Sequence, residues 1–224
     1  AIAVDALDEL VARGKTLPEP PLFVPAADAD PLAWLFYTSG TTGTPKGAML
    51  TERLCIKTWL SAIPLPAITL SFMPMSHMAG YGFMLMPLAN GGTSYCSPSS
   101  DLSTLFEDLA LSRPTMATLV PRVCEMLYQH FLREVDRRVV AGAALGTVQA
   151  DVKREMRETR LGGRLLSVGC GSASLAPEIF AFIEDMLEMH VSIGYSSTEI
   201  AGGTVLVDWK VQRPPVIDYK LADV

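Results

Sequence analysis

From Asp101 onward, apolar residues repeating at helical spacing take turns with short continuous apolar runs, and few folds accept that order. DLSTLFEDLALS predicts a capped amphipathic helix with Leu102, Leu105, Phe106 and Leu109 on one face, and TMATLV predicts a strand. PRVCEMLYQHFLREVDRRV starts on the proline that a first helical turn tolerates and repeats apolar residues at Val123, Met126, Leu127, Phe131 and Val135. DVKREMRET reads as a charged helix, GRLLSVGCG as a strand, APEIFAFIEDMLEM as a helix and HVSIGYSS as another strand. Strands alternating with helices predict an α/β fold, and in open α/β sheets ligands gather at the carboxyl ends of the strands.

Ahead of this alternation, AVDALDELVARG has helical periodicity, and the proline-rich LPEPPLFVPAADADP behaves as a linker. AWLFYTS then reads as a short buried strand running into a loop. The expected division is a leading helix and linker over residues 1–30, followed by one domain over residues 31–224. A start without methionine suggests a fragment.

Three loops rich in Gly, Ser and Thr, at 38–47, 169–174 and 194–199, each follow a predicted strand. The first has the ingredients of a phosphate loop. Gly40, Gly43 and Gly47 allow close backbone approach, Thr38, Ser39, Thr41, Thr42 and Thr44 offer hydroxyls, and Lys46 adds a point charge. It is not a Walker loop, because that pattern needs Gly-Lys followed by Ser or Thr, and here Pro45 precedes Lys46 and Gly47 follows it. The second, GCGSAS, has Ser174 where a dinucleotide fingerprint carries its third glycine. It reads either as a strand-to-helix turn or as flat backbone laid against a purine. The third, GYSSTE, offers an aromatic ring for a base, a threonine for a phosphate and a carboxylate for magnesium, or it is another turn. His77 sits in PMSHMAGYG, either packed in the core or lining a site.

Composition narrows the partners. With 18 Lys and Arg against 24 Asp and Glu, the net charge of -6 provides no basic field for nucleic acid or an anionic membrane. The apolar region 62–89 is interrupted by Pro64, Pro66, Pro74 and Pro87, so it does not span a bilayer as one helix. Cys55, Cys96, Cys124 and Cys170 show no metal-ligand spacing and read as reduced thiols of a cytoplasmic protein.

In this order, YTSGTTGTPKG, GCGSAS and GYSSTE resemble the adenylate-forming superfamily of acyl-CoA synthetases, peptide-synthetase adenylation domains and luciferases. GAMLTERL at 47–54, PAITLSFMPMSHMAGYG at 66–82, LANGGTSY at 88–95, DLSTLFEDLALSRPT at 101–115 and QRPPVIDYKLADV at 212–224 look most like the adenylation domain of bacterial carboxylic acid reductases, also called fatty-acid–CoA ligases. The resemblance implies the layered α/β sheets of the large N-terminal domain of these enzymes, truncated before the small C-terminal domain with its catalytic lysine. It also implies that the chain stops before the ribose-binding aspartate, and a fragment so cut is expected to be a poor enzyme.

The implied reaction joins a carboxylic acid to Mg-ATP, giving an acyl-adenylate and pyrophosphate. In the parent, a phosphopantetheine thiol on a carrier domain then takes the acyl group, and a reductase domain uses NADPH. Carried over by position, Thr38 to Gly47 hold the β- and γ-phosphates, with Thr41, Thr42 and Lys46 the main contacts. Gly171, Ser172 and Ala173 lie beside the adenine and the acyl pocket, and Tyr195 packs on adenine. Ser197 and Thr198 meet the nucleotide, with Thr198 on the α-phosphate, Glu199 binds magnesium, and His77 borders the reacting carboxylate. Ser196 and Leu50 depart from the family's usual glycine and tyrosine. Aromatic and medium-chain fatty acids both fit. An acyl-CoA ligase using free CoA, a kinase or P-loop ATPase, and a non-catalytic nucleotide-binding module are the alternatives.

Overall fold

The computed structural model describes residues 6–19, 21, 29–38, 44–60, 66–99 and 101–213. The chain divides after Pro31 into two compact units. In the first, helix α1 (Leu7–Gly14) carries Asp8 and Glu9 in its first turn and Arg13 in its last, matching the helix dipole at both ends. The remainder of the expected linker lies mostly outside the described residues.

The second unit opens with a hairpin. Strand β1 (Leu32–Thr38) pairs antiparallel with β2 (Lys46–Thr51), and the two form a sheet of their own. This corrects one expectation. AWLFYTS is not a buried strand, since Phe36 is its one fully buried residue and Leu35 and Tyr37 are exposed. The candidate phosphate loop leads into a second strand, β2. A continuous apolar run also describes an aromatic strand whose rings pack sideways, and here Trp34 and Phe36 stack near Tyr81 at centroid distances of 4.4 and 5.9 Å.

Helix α2 (Glu52–Leu60), strand β3 (Ile68–Ser71), helix α3 (Met78–Ala89) and strand β4 (Thr93–Cys96) follow, with β3 and β4 parallel. Thus the proline-broken apolar region contains a strand and a 12-residue helix. Pro87 lacks an N–H, which releases the carbonyl of Phe83 from the helical ladder. The buried hydroxyl of Thr69 on β3 donates to that carbonyl at 3.4 Å, and Ser71 Oγ donates to Gly80 O at 3.2 Å. Gly80 lets the start of α3 lie close against the preceding Met73–Pro74 backbone, where a Cβ would stand 2.3 Å from Pro74 O.

Helix α4 (Leu105–Ser112) starts four residues later than the sequence pattern predicts. Asp101 instead accepts from Ser103 N and from Ser99 Oγ, an Asx-type turn that competes with helix; hydrogen bonds from the Ser103 hydroxyl, then the Ser103 N–H and the Ser99 hydroxyl, pull its carboxyl down to about 2. Strand β5 (Met116–Leu119) and helix α5 (Pro121–Val140) come next, and Val123, Leu127, Phe131 and Val135 form one buried stripe on α5. Helix α6 (Leu145–Glu155) begins before the predicted charged segment and ends in a π-helical turn, Met156–Arg160. Strand β6 (Ser167–Cys170), helix α7 (Pro177–Leu187) and strand β7 (Val191–Ser196) complete the alternation.

The five-stranded sheet runs β5-β6-β7-β8-β9, where β8 (Thr204–Val207) and β9 (Lys210–Val211) add an antiparallel edge to three parallel strands. Strand side chains alternate between faces. Leu119, Val168, Cys170 and Val191 point into the main core with α4, α5, α6 and α7, while Thr118, Gly169, Ser192 and Gly194 face the other way. Before β7, His190 bridges Glu184 and Asp208 at 2.8 Å each. The same two carboxylates accept from Val191 N and Ile193 N, fixing where β7 begins. Among the described residues no helix is long and apolar enough to cross a membrane.

Candidate functional site

The uncovered face of the sheet and helix α3 enclose a cleft of about 370 Å³, in the size range of small-molecule sites. Its mouth is built from strand ends. Gly171 and Ser172 follow β6, while Ser196, Ser197 and Thr198 end β7 and start a 3-10 turn, Thr198–Ile200. Ser172 holds φ 75°, a left-handed conformation that a residue with a side chain adopts only at a cost, so the loop is set by its surroundings.

His77 caps the N-terminus of α3, its Nδ1 accepting from Ala79 N at 3.1 Å, and it lines the cleft. It is exposed, not packed in the core. With Nδ1 used as an acceptor, the neutral ring carries its proton on Nε2, the atom free to donate to a ligand's oxygen. Cys170, also in the lining, is hydrogen-bonded by the Cys124 thiol, which lowers the pKa of Cys170 and raises that of Cys124.

Glu199 is exposed beside the mouth. Its own backbone N–H and the Ser197 hydroxyl hold its carboxyl below the usual glutamate range, so it is an anion at neutral pH. The described residues contain no cluster of three or more His, Cys, Asp or Glu able to hold a metal by themselves. A single hard carboxylate fits magnesium that arrives with a polyphosphate, since that ion usually keeps one or two protein carboxylates and takes its other ligands from phosphate and water.

The hairpin reaches this mouth through packing. Strand β2 lies against the Thr198–Ile200 turn, and Phe36, Leu50, Cys55, Met78 and Ala201 form a small second core beneath them. That core, and not a shared sheet, brings strand β2 and the Thr198–Ile200 turn together. Lys46 and Thr44 are exposed on the hairpin, and Thr38 Oγ1 lies at 3.5 Å from Lys46 O. Ser39, Gly40, Thr41, Thr42 and Gly43 lie outside the described residues.

Of the predicted site residues, the cleft lining brings together His77, Gly171, Ser172, Ser197 and Thr198. Ala173, Tyr195 and Glu199 are exposed next to lining residues in the chain, and Tyr195 stacks on no described ring. The sequence reading missed the α3 wall with Phe83 and Met86, and the sheet floor with Thr118 and Ser192. For the floor the signal existed, because alternation in TMATLV and HVSIG sets Thr118 and Ser192 opposite Leu119 and Val191.

Comparison with known proteins gives the ancestry of this arrangement. The AMP-binding enzyme family matches residues 2–224. A carboxylic acid reductase of Segniliparus rugosus is 49% identical, over 100% of this chain and 20% of that protein. The chain therefore spans about one fifth of that curated relative. The adenylation domain of the Mycobacterium chelonae carboxylate reductase superposes with a TM-score of 0.84 at 46% identity, covering 100% of this chain and 35% of that one. The Segniliparus rugosus A domain, solved with AMP and a co-purified carboxylic acid, gives a TM-score of 0.82 at 46% identity, over 98% of this chain and 36% of that one. The chain belongs to the AMP-binding enzyme family.

Proposed function

We propose that this chain is the central part of a domain that activates a carboxylic acid with Mg-ATP, forming an acyl-adenylate and pyrophosphate. The observation that carries the reading is the convergence at one cleft of the two strand-end loops and His77, with strand β2, which starts at Lys46, packed against the Thr198–Ile200 turn. The likeness to a domain solved with AMP and a carboxylic acid supports it.

Direct loss of an oxide from a carboxylate is prohibitive. In the proposed step a carboxylate oxygen attacks the α-phosphorus, the bond to the β-phosphate bridging oxygen breaks, and pyrophosphate leaves with that electron pair. No proton transfer is required, so catalysis is alignment and charge neutralisation. His77 Nε2–H orients the attacking carboxylate, and the Thr198 hydroxyl donates to the α-phosphate oxygens. Lys46 and the loop 38–47 hold the β- and γ-phosphates, with Thr41 and Thr42 as contacts. Gly171, Ser172 and Ala173 flank adenine and Tyr195 covers it. Glu199 would hold magnesium, which when bound spreads the charge of the phosphates and the leaving group.

In the longer protein, a phosphopantetheine thiol on a carrier domain then attacks the acyl carbon and AMP departs, before reduction to an aldehyde by NADPH on a reductase domain. A cytoplasmic setting agrees with cysteines that form no disulfide. Product analysis tests the reading. Incubating the full-length protein with acid and ATP is expected to yield AMP and pyrophosphate, whereas ADP and inorganic phosphate would refute it.

A further inference from the structure

Two cysteines that the proposed reaction leaves unused meet behind the cleft. Leu119, the last residue of β5, is the register partner of Cys170, the last residue of β6. The chain then turns at Val120 and enters α5, where Val123 N and Cys124 N both donate to Val120 O. That turn sets Cys124 over the end of β6. Both cysteines belong to the main core, Cys124 at 0% exposure and Cys170 at 5%, and neither is in a disulfide. The Cys124 thiol donates to the Cys170 sulfur, and the Gly171 N–H adds a second hydrogen bond to it.

The two sulfurs are not equivalent. Hydrogen bonds donated to a sulfur favour its thiolate, the nucleophilic form, and here they converge on Cys170. Cys170 also lines the cleft, which gives it an entry path, whereas Cys124 is not among the lining residues. Cys55 sits in the separate small core and Cys96 is exposed on β4, so neither shares this arrangement. In a reducing compartment, a disulfide that forms is usually transient and redox-sensing.

We infer that Cys124 and Cys170 form a peroxide-sensitive dithiol, Cys170 attacking and Cys124 resolving, whose oxidation reversibly closes down the nucleotide site. The Cys170 sulfur attacks the terminal oxygen of a hydroperoxide and the O–O bond breaks. The other oxygen leaves with the thiol proton, as an alcohol or, from hydrogen peroxide, as water. Cys170 is then a sulfenic acid. The Cys124 sulfur attacks it, the S–S bond forms, the S–O bond breaks, and the departing hydroxide takes the Cys124 proton as water. Two thiols thus give two electrons to one hydroperoxide.

A disulfide is much shorter than a thiol hydrogen bond, so its closure draws the end of β6 toward α5. Helix α5 is anchored by its buried stripe, so the part that yields is the Gly171–Ser172 loop, where Ser172 already holds φ 75°. This consequence rests on the adenylation reading, in which that loop flanks adenine; the thiol chemistry does not.

The test treats the full-length protein with hydrogen peroxide and divides the sample. In one part, trypsin should release residues 123–133, with Cys124, joined to residues 165–210, with Cys170, by a link that dithiothreitol cleaves. In the other, acid-dependent ATP–pyrophosphate exchange should fall at least about tenfold as the link forms and return with dithiothreitol. The Cys124→Ala/Cys170→Ala double variant, compared with its own untreated rate, should lose none. In Cys124→Ala alone, dimedone should label residues 165–210 by trapping the sulfenic acid. Absence of the link at a dose that oxidises the exposed Cys96, or a double variant that loses exchange as the wild type does, would overturn the inference. If the untreated protein shows no exchange, adenylation fails instead, and the linked peptide alone decides the thiol pair.

Discussion

Gly80 and Gly169 are the same residue under opposite demands. At Gly80 a Cβ would collide with two backbone oxygens, Pro74 O at 2.3 Å and Met73 O at 2.6 Å, which cannot swing aside as a side chain does. Gly80→Ala should therefore destabilise the protein by about 1–3 kcal/mol in denaturant unfolding. At Gly169 there is no collision, and Gly169→Ala should not reduce stability. His190 makes a second residue-scale prediction. Hydrogen bonds to Asp208, and then to Glu184, raise its pKa, so its bridge contributes stability fully below the ordinary histidine value of about 6.5. That contribution is lost as pH rises through the raised value. With a side chain 65% exposed, the effect is screened and modest. The Tm advantage of wild type over His190→Gln should be present at pH 6 and shrink by pH 8; an advantage that grows with pH would contradict the bridge.

Among the elements, those with a one-sided apolar pattern were legible. Helix α5 shows its stripe in the sequence because polar residues fill the other faces, and its burial follows. Helix α3 was hidden because MAGYGFMLMPLA is apolar all round and carries a proline, so no period marks a face. Its stability comes from β3, which no local pattern in α3 reveals. Thr69→Val removes the donor to the carbonyl that Pro87 releases, and a loss of roughly 1–3 kcal/mol in unfolding free energy is expected; an unaltered value would mean that this carbonyl is satisfied otherwise. The hairpin was misread for a related reason. Its aromatic residues satisfy a buried-strand pattern by packing Trp34 and Phe36 on Tyr81 of α3, a contact 45 residues away in sequence from Phe36.

For the whole molecule, the three loops could be read as polar strand ends, but not the means of their meeting. The loops after β6 and β7 are adjacent because those strands pair, which strand and helix alternation predicts. The hairpin arrives by a separate packing of Phe36, Leu50 and Cys55 against Met78 and Ala201, which depends on shape between distant segments. The resulting mouth sets the anionic Glu199 carboxylate beside Thr198 on the turn against which β2 packs. The central claim is carboxylate adenylation at this mouth, and acid-dependent exchange of labelled pyrophosphate into ATP by the full-length protein measures it most directly. The account predicts exchange that requires the acid and falls at least about a hundredfold in Glu199→Gln. Exchange without acid, or a Glu199→Gln variant as fast as wild type, would contradict it.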